Sequence, residues 1–286
     1  MKILTIGNSF GNNATMYLDK LIAPYSNVEL VLGKANLGGC SLEKHWNLIE
    51  QCNLLPDVKP YNFQVTGHTP KPATLNEALV SEQWDYVTLQ QASMLSWRPE
   101  TYAPYIDYLY EYIKKLAPQA QPIIHQTWAY RTDATVFKEL GIDQQKMYQC
   151  LCQAYDAAAK KLTCRQIPSG AAFQNARKEL NYRPDTQYDI TNPTPLELPN
   201  QKGSLNVGYR WQTGNTPSGN AELGIDFKHA NEKGCYLANA VWFELFTGKS
   251  IFENPFTPEN LSPEEQAILM DAAHKAVIEY GGPFEH

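Results

Sequence analysis

The sequence is first informative for what it lacks. No apolar segment approaches the ~20 residues that a helix needs to span a bilayer. No charged-then-apolar leader precedes the first apolar run, which begins directly after Met1. A native start at Met1 therefore implies the cytoplasm, whereas a leader already removed would imply the periplasm or secretion. Positive charge is not in excess: 24 Lys and Arg stand against 30 Asp and Glu, for a formal net charge of −6. That balance argues against nucleic acid or an anionic membrane as partner. The six cysteines (Cys40, Cys52, Cys150, Cys152, Cys164 and Cys235) have neither paired metal-ligand spacing nor the density of a disulfide scaffold. They read as free thiols in a reducing compartment. His45, His68, His125, His274 and His286 show no ligand spacing, so no metal is expected. Internal repeats and a domain-separating linker are also missing. The 286 residues read as one domain, with insertions near 54–76 and 181–222.

What is present is an alternation of strand and helix patterns. Ile3, Leu4 and Ile6 form a short apolar run ended by Gly7 and Asn8, as in a central strand buried on both faces. Further strand patterns lie at Val28–Leu32, Trp84–Leu89, Pro122–Ile124 and Arg165–Pro168. Helical spacing separates them, at Met16 to Ile22, from Ser41 through Ile49, at Tyr102 to Leu116 and at Met147 to Leu162. Ser262 and Glu265 form a capping box around Pro263. Pro56 to Pro72, with its alternating Tyr61-Phe63-Val65, reads as an inserted hairpin. Residues 181–222, rich in Pro, Asn, Gly and Thr, read as a long irregular insertion. Five strands alternating with helices predict a three-layer, doubly wound parallel sheet of flavodoxin-like order 2-1-3-4-5. The turn after the first strand then sits at the topological switch point, where such sheets bind ligands.

Ser9 occupies that turn. A serine there is ordinarily a helix cap, but as a nucleophile it needs a base, and the base needs an orienting group. Asp226 and His229, three residues apart in what reads as a turn before a helix, offer both. An oxyanion would need donors. The Ser9 amide, a glycine amide of Gly38-Gly39, and a side-chain amide of Gln90 or Gln91 follow three successive strands. Trp128 and Tyr130, beyond the fourth strand, are candidates for a substrate wall, and His45 either lines the pocket or is a satisfied structural histidine. The aromatic content of 12% admits a sugar-binding platform as well as a large core.

These stretches together resemble the SGNH hydrolases, the GDSL-like esterase and lipase superfamily, in a poorly characterised bacterial branch. Gly7-Asn8-Ser9-Phe10 resembles the first block, with Asn8 where aspartate is usual. Asn36-Leu-Gly-Gly39 resembles the second, and Asp226-Phe-Lys-His229 the last. The third block, usually Gly-x-Asn-Asp, is replaced by Gln90-Gln91-Ala92-Ser93. The resemblance implies a Ser9–His229–Asp226 triad and an oxyanion hole of Ser9, Gly39 and Gln91, with Gln90 as alternate. It also implies hydrolysis of small acyl esters, acetyl first, on a small molecule or glycan without a cofactor. Two other readings compete. One is a phosphate- or flavin-binding module that wraps its ligand in the Gly7–Thr15 turn; the other is a pseudo-enzyme that binds glycans through the insertion.

Overall fold

The chain is described by a computed structural model covering residues 1–212 and 221–284. Among these residues, seven strands form the main sheet: β1 (Lys2–Gly7), β2 (Val31–Asn36), β3 (Tyr61–Val65), β4 (Lys71–Ala73), β5 (Tyr86–Leu89), β6 (Gln121–His125) and β7 (Gln166–Ile167). Their order is β4-β3-β2-β1-β5-β6-β7. The parallel strands β2, β1, β5, β6 and β7 thus have the expected order 2-1-3-4-5. The hairpin expected in the first insertion is β3–β4, which extends the sheet antiparallel to β2. The second strand is displaced from its expected position. It begins at Val31 and runs to Asn36, because pairing with β1 continues to Gly7↔Asn36 beyond the apolar residues that mark it in sequence.

Among the described residues, ten helices cover the sheet: α1 (Ser9–Ala14), α2 (Leu18–Ile22), α3 (Leu42–Leu54), α4 (Leu75–Val80), α5 (Tyr105–Leu116), α6 (Val136–Leu140), α7 (Gln144–Leu162), α8 (Ser169–Leu180), α9 (Glu232–Thr247) and α10 (Pro263–Glu279). One layer packs α1, α2, α8 and α10 around α9, and the other packs α3, α4 and α7 around α5. Every residue of α9 from Gly234 to Phe246 is buried, as expected of a helix apolar on all sides. Ile3, Leu4 and Ile6 of β1 lie in the same core, each burial being worth roughly 1.5–3 kcal/mol. Local sequence sets the helix starts. Ser41 accepts from the Lys44 amide, and Ser262 with Glu265 forms the expected capping box.

The expectation of an irregular 181–222 segment is corrected in part. Asn206–Gln212 forms a strand, β8, paired antiparallel with β9 (Glu222–Ala230) in a separate two-stranded ribbon. Residues 213–220 of that expectation lie outside the described residues. Within the described residues, no helix is long and apolar enough to cross a membrane.

Candidate active site

At the end of β1 the helix cap is Asn8, not Ser9. Asn8 is extended, and its Oδ1 accepts from the Phe10 amide at 3.1 Å. Ser9 is then the first residue of α1, its amide among the donors that a helix start leaves free. Its hydroxyl lies 2.8 Å from Nε2 of His229. On the other side of the ring, Nδ1 of His229 is 2.8 Å from Oδ2 of Asp226. A carboxylate only accepts, so Nδ1 carries the proton and Nε2 presents a lone pair to the Ser9 hydroxyl. Burial pushes the Asp226 carboxyl up. Hydrogen bonds from the His229 amide and ring, and from the Lys228 amide, outweigh this and hold it below the usual carboxylate range.

Asp226 and His229 sit in β9, not in a turn before a helix. In a regular strand, residues three apart point to opposite faces. Here the register jumps from Asn206↔Ala230 to Gly208↔Asp226, so Phe227, Lys228 and His229 bulge opposite Val207 alone. The bulge folds the imidazole back onto its carboxylate, whose Oδ1 also accepts from the His229 and Lys228 amides at 3.0 and 3.3 Å. Neighbouring segments pin its carbonyls. Trp128 Nε1 and Asn206 Nδ2 both donate to the Lys228 oxygen, and the Arg131 amide donates to that of Phe227. Gly208, at φ +76° opposite the bulge, has no room for a Cβ, which would lie 2.0 Å from Arg131 Nη1.

Beneath Ser9, a buried polar chain runs across the strand ends. Ser169 Oγ lies 3.0 Å from His125 Nε2, and His125 Nδ1 lies 2.8 Å from Gln90 Oε1. Gln90 Nε2 donates to Asn8 Oδ1 at 2.9 Å, and Asn8 Nδ2 donates to the Cys40 carbonyl at 3.0 Å. Gln90 Oε1 accepts only, so His125 donates from Nδ1 and receives the Ser169 hydroxyl at Nε2. The whole chain therefore has one direction. Burial pushes His125 down to about 3, which keeps it neutral.

A pocket of about 270 Å³ opens over this arrangement, bordered by Ser9, Gly38, Gly39, Ser93, Met94 and His229. Gly39 is placed there with φ +64°, a conformation that glycine adopts without strain. Neither glutamine borders it. Gln91 is spent on backbone: its Oε1 accepts from the Leu42 and Ala92 amides, and its Nε2 donates to Thr101. Gln90 belongs to the chain below Asn8. Ser93 is the residue that the third strand end does bring to the pocket, its hydroxyl 3.0 Å from that of Tyr130. The run Gln90-Gln-Ala-Ser93 holds this signal, but the amides draw attention from the hydroxyl.

Three residues expected to face the pocket are buried instead. Trp128 is fully buried, stacked between Phe10 at 4.4 Å and Phe173 at 4.5 Å, and Tyr130 is also buried. His45 is fully buried under the turn, its Nε2 3.0 Å from the Gly7 carbonyl and its Nδ1 2.7 Å from the Tyr61 hydroxyl. Burial pushes its pKa down to about 4. It steadies the carbonyl just before Asn8 rather than facing a ligand. Among the described residues, no group of three or more His, Cys, Asp or Glu side chains is placed to hold a metal ion.

A central, mostly parallel sheet flanked by helices on both sides is an SGNH-like α/β hydrolase fold. Within it, residues 2–188 match the domain of unknown function DUF4886, and the chain belongs to that family. A DUF4886 family protein from Bacteroides uniformis ATCC 8492 is similar over all of this chain and 97% of its own, at 30% identity and a TM-score of 0.76. A candidate SGNH hydrolase from Slackia heliotrinireducens shares 22% identity over 85% of this chain and 97% of its own, with a TM-score of 0.51. No curated protein matches the chain.

Proposed function

We propose that the protein is a serine esterase acting on small acyl esters, acetyl first. The observation that carries this reading is the continuous line from Ser9 Oγ through His229 to Asp226, with both hydrogen bonds at 2.8 Å. Ser9 Oγ attacks the ester carbonyl while Nε2 of His229 takes its proton, and Asp226 steadies the imidazolium. The same proton then passes to the leaving alcohol. Water, deprotonated by His229, hydrolyses the acyl-serine and returns the free hydroxyl. The oxyanion is met by the amides of Ser9 and Gly39, with Ser93 as the third donor in place of the glutamines.

The volume of about 270 Å³ falls below the roughly 300–1,000 Å³ of drug-sized sites, which favours a short acyl group. The alcohol is a small molecule or a glycan, and exposed Met94 and half-buried Lys228 stand at the rim to meet it. A phosphate- or flavin-binding reading leaves the Ser9–His229 bond without a purpose, and Asn8 already occupies the Phe10 amide that such a ligand would use.

Labelling of the folded protein with a fluorophosphonate tests the proposal. Modification should map to Ser9 and vanish in Ser9→Ala. Folded protein that stays unlabelled at Ser9, or a variant labelled equally well, would sink the mechanism.

A further inference from the structure

A second cavity, of about 160 Å³, lies between α8, the start of α7 and the loop leading into β8. That is many times the ~15 Å³ that admits one water. Arg131, Arg177, Lys178 and Arg183 border it together with Gln144 and Gln174, and none of its lining residues is Asp or Glu. Such a concentration of cations is unexpected in a chain of net charge −6. Arg131 is already neutralised, its Nε and Nη2 bonded to both carboxylate oxygens of Asp133 at 2.6 and 2.7 Å. Arg177 is not. Its Nη2 donates to the Ala129 carbonyl and to Asn206 Oδ1, while its Nη1 is buried with no hydrogen-bond partner among the described residues. A buried guanidinium N–H without an acceptor is costly unless something supplies one. Burial alone pushes the Arg177 pKa down, to about 10, the sign of a cation enclosed without a counter-charge.

We propose that this cavity binds a small oxyanion, a phosphate or carboxylate group, with Arg177 as its inner donor and Lys178 and Arg183 as its outer cations. Guanidinium and ammonium groups meeting such an anion form charge-assisted hydrogen bonds, the stronger kind. The site is separate from the Ser9 pocket. Between them stand the stacked rings of Phe173, Trp128 and Phe10, with Arg177 over the outer face of Phe173 at 5.8 Å. The proposal therefore stands independently of the esterase reading.

Titration calorimetry of the whole protein tests it, with inorganic phosphate and sodium glucuronate as probes and ionic strength held constant with potassium chloride. Saturable binding of either probe is expected. The probe that binds more tightly identifies phosphate or carboxylate as the natural group. Arg177→Met should abolish binding, and Lys178→Ala/Arg183→Ala should weaken it about tenfold or more while melting stays within a few degrees of the parent. Arg177 also supports Ala129 and Asn206, so if Arg177→Met fails to fold, the double variant decides. Absence of saturable binding by both probes up to about 10 mM overturns the proposal. So does binding that the double variant leaves unchanged.

Discussion

The two halves of the candidate site are built differently. Ser9 stands on the core: β1 is buried from Ile3 to Gly7, and the turn after it rests on a chain of buried hydrogen bonds drawn from four other strand ends. Asp226 and His229 stand on a two-stranded ribbon in which every residue of β9 except Ala230 is only partly buried. Their side chains are 17% and 29% exposed, so solvent reaches the pair, whereas Asn8 at the base of the turn is buried. The Ser9 turn is held by global packing, while the histidine is held by its own short bulge and a few donors beneath it. Such a division suits the roles proposed for them, a proton carrier that must face incoming water and a nucleophile that must not drift.

Substitutions can break this comparison at either end. The largest effect is expected on the ribbon. His229→Ala should lower kcat/KM for p-nitrophenyl acetate by about 10⁴–10⁶-fold, and Asp226→Asn by about 10⁴-fold. Neither should shift the melting temperature by more than a few degrees, since both side chains are partly exposed. If either variant keeps near-full activity, the acid–base assignment is wrong.

The next largest effect belongs to the turn, and falls on stability. Asn8→Ala removes a helix cap, worth about 0.5–2 kcal/mol. It also strands the Gln90 Nε2 and the Cys40 carbonyl, at about 1–3 kcal/mol each. A loss of roughly 3–5 kcal/mol in urea unfolding is expected. Asn8→Asp, which restores the usual Gly-Asp-Ser pattern, should also destabilise, because a carboxylate cannot donate to the Cys40 carbonyl. An Asn8→Asp protein as stable as the parent would show that the network does not set this residue.

This contrast also explains what was legible in the sequence. The parallel strands and the place of Ser9 follow from local signals, namely apolar runs, breaks at glycine and asparagine, and helical spacing. Asp226 and His229 were legible as residues but not as a strand. The bulge that unites them depends on Trp128, Arg131 and Asn206, remote in sequence, and an Asp-x-x-His spacing by itself suits a turn better. Gln91 fails as an oxyanion donor for the same reason. Nothing near it in sequence announces that the Leu42 amide and the Thr101 carbonyl compete for its amide. Trp128 reads as a wall because an aromatic after a strand end suits either role, and only Phe10 and Phe173 decide between them.

A third expectation concerns pH. His45 and His125 are held neutral by burial, with folded pKa values near 4 and 3, against an ordinary value of 6.5. The unfolded chain binds these protons more readily than the folded one. The stability is therefore fully present above pH 6.5 and is lost as pH falls towards the folded values. The His45 share is roughly 3 kcal/mol. Urea midpoints measured from pH 7 to pH 4.5 should fall in the parent and fall less steeply in His45→Gln. Equal slopes would show that His45 is not the neutral group of this site.

The smallest expected effect tests Ser93. It meets the pocket while sharing a hydrogen bond with Tyr130, so its hydroxyl proton is available to an oxyanion only if Tyr130 donates into Ser93. Full removal of an oxyanion donor costs about 10²–10³-fold in kcat. Ser93→Ala removes the hydroxyl but leaves the backbone amide, so a loss nearer tenfold in kcat with little change in KM is expected. Tyr130→Phe should reproduce part of that loss, because Ser93 then has no donor to orient it. If KM rises and kcat holds in Ser93→Ala, Ser93 binds the ester in its ground state and the oxyanion rests on the Ser9 and Gly39 amides alone.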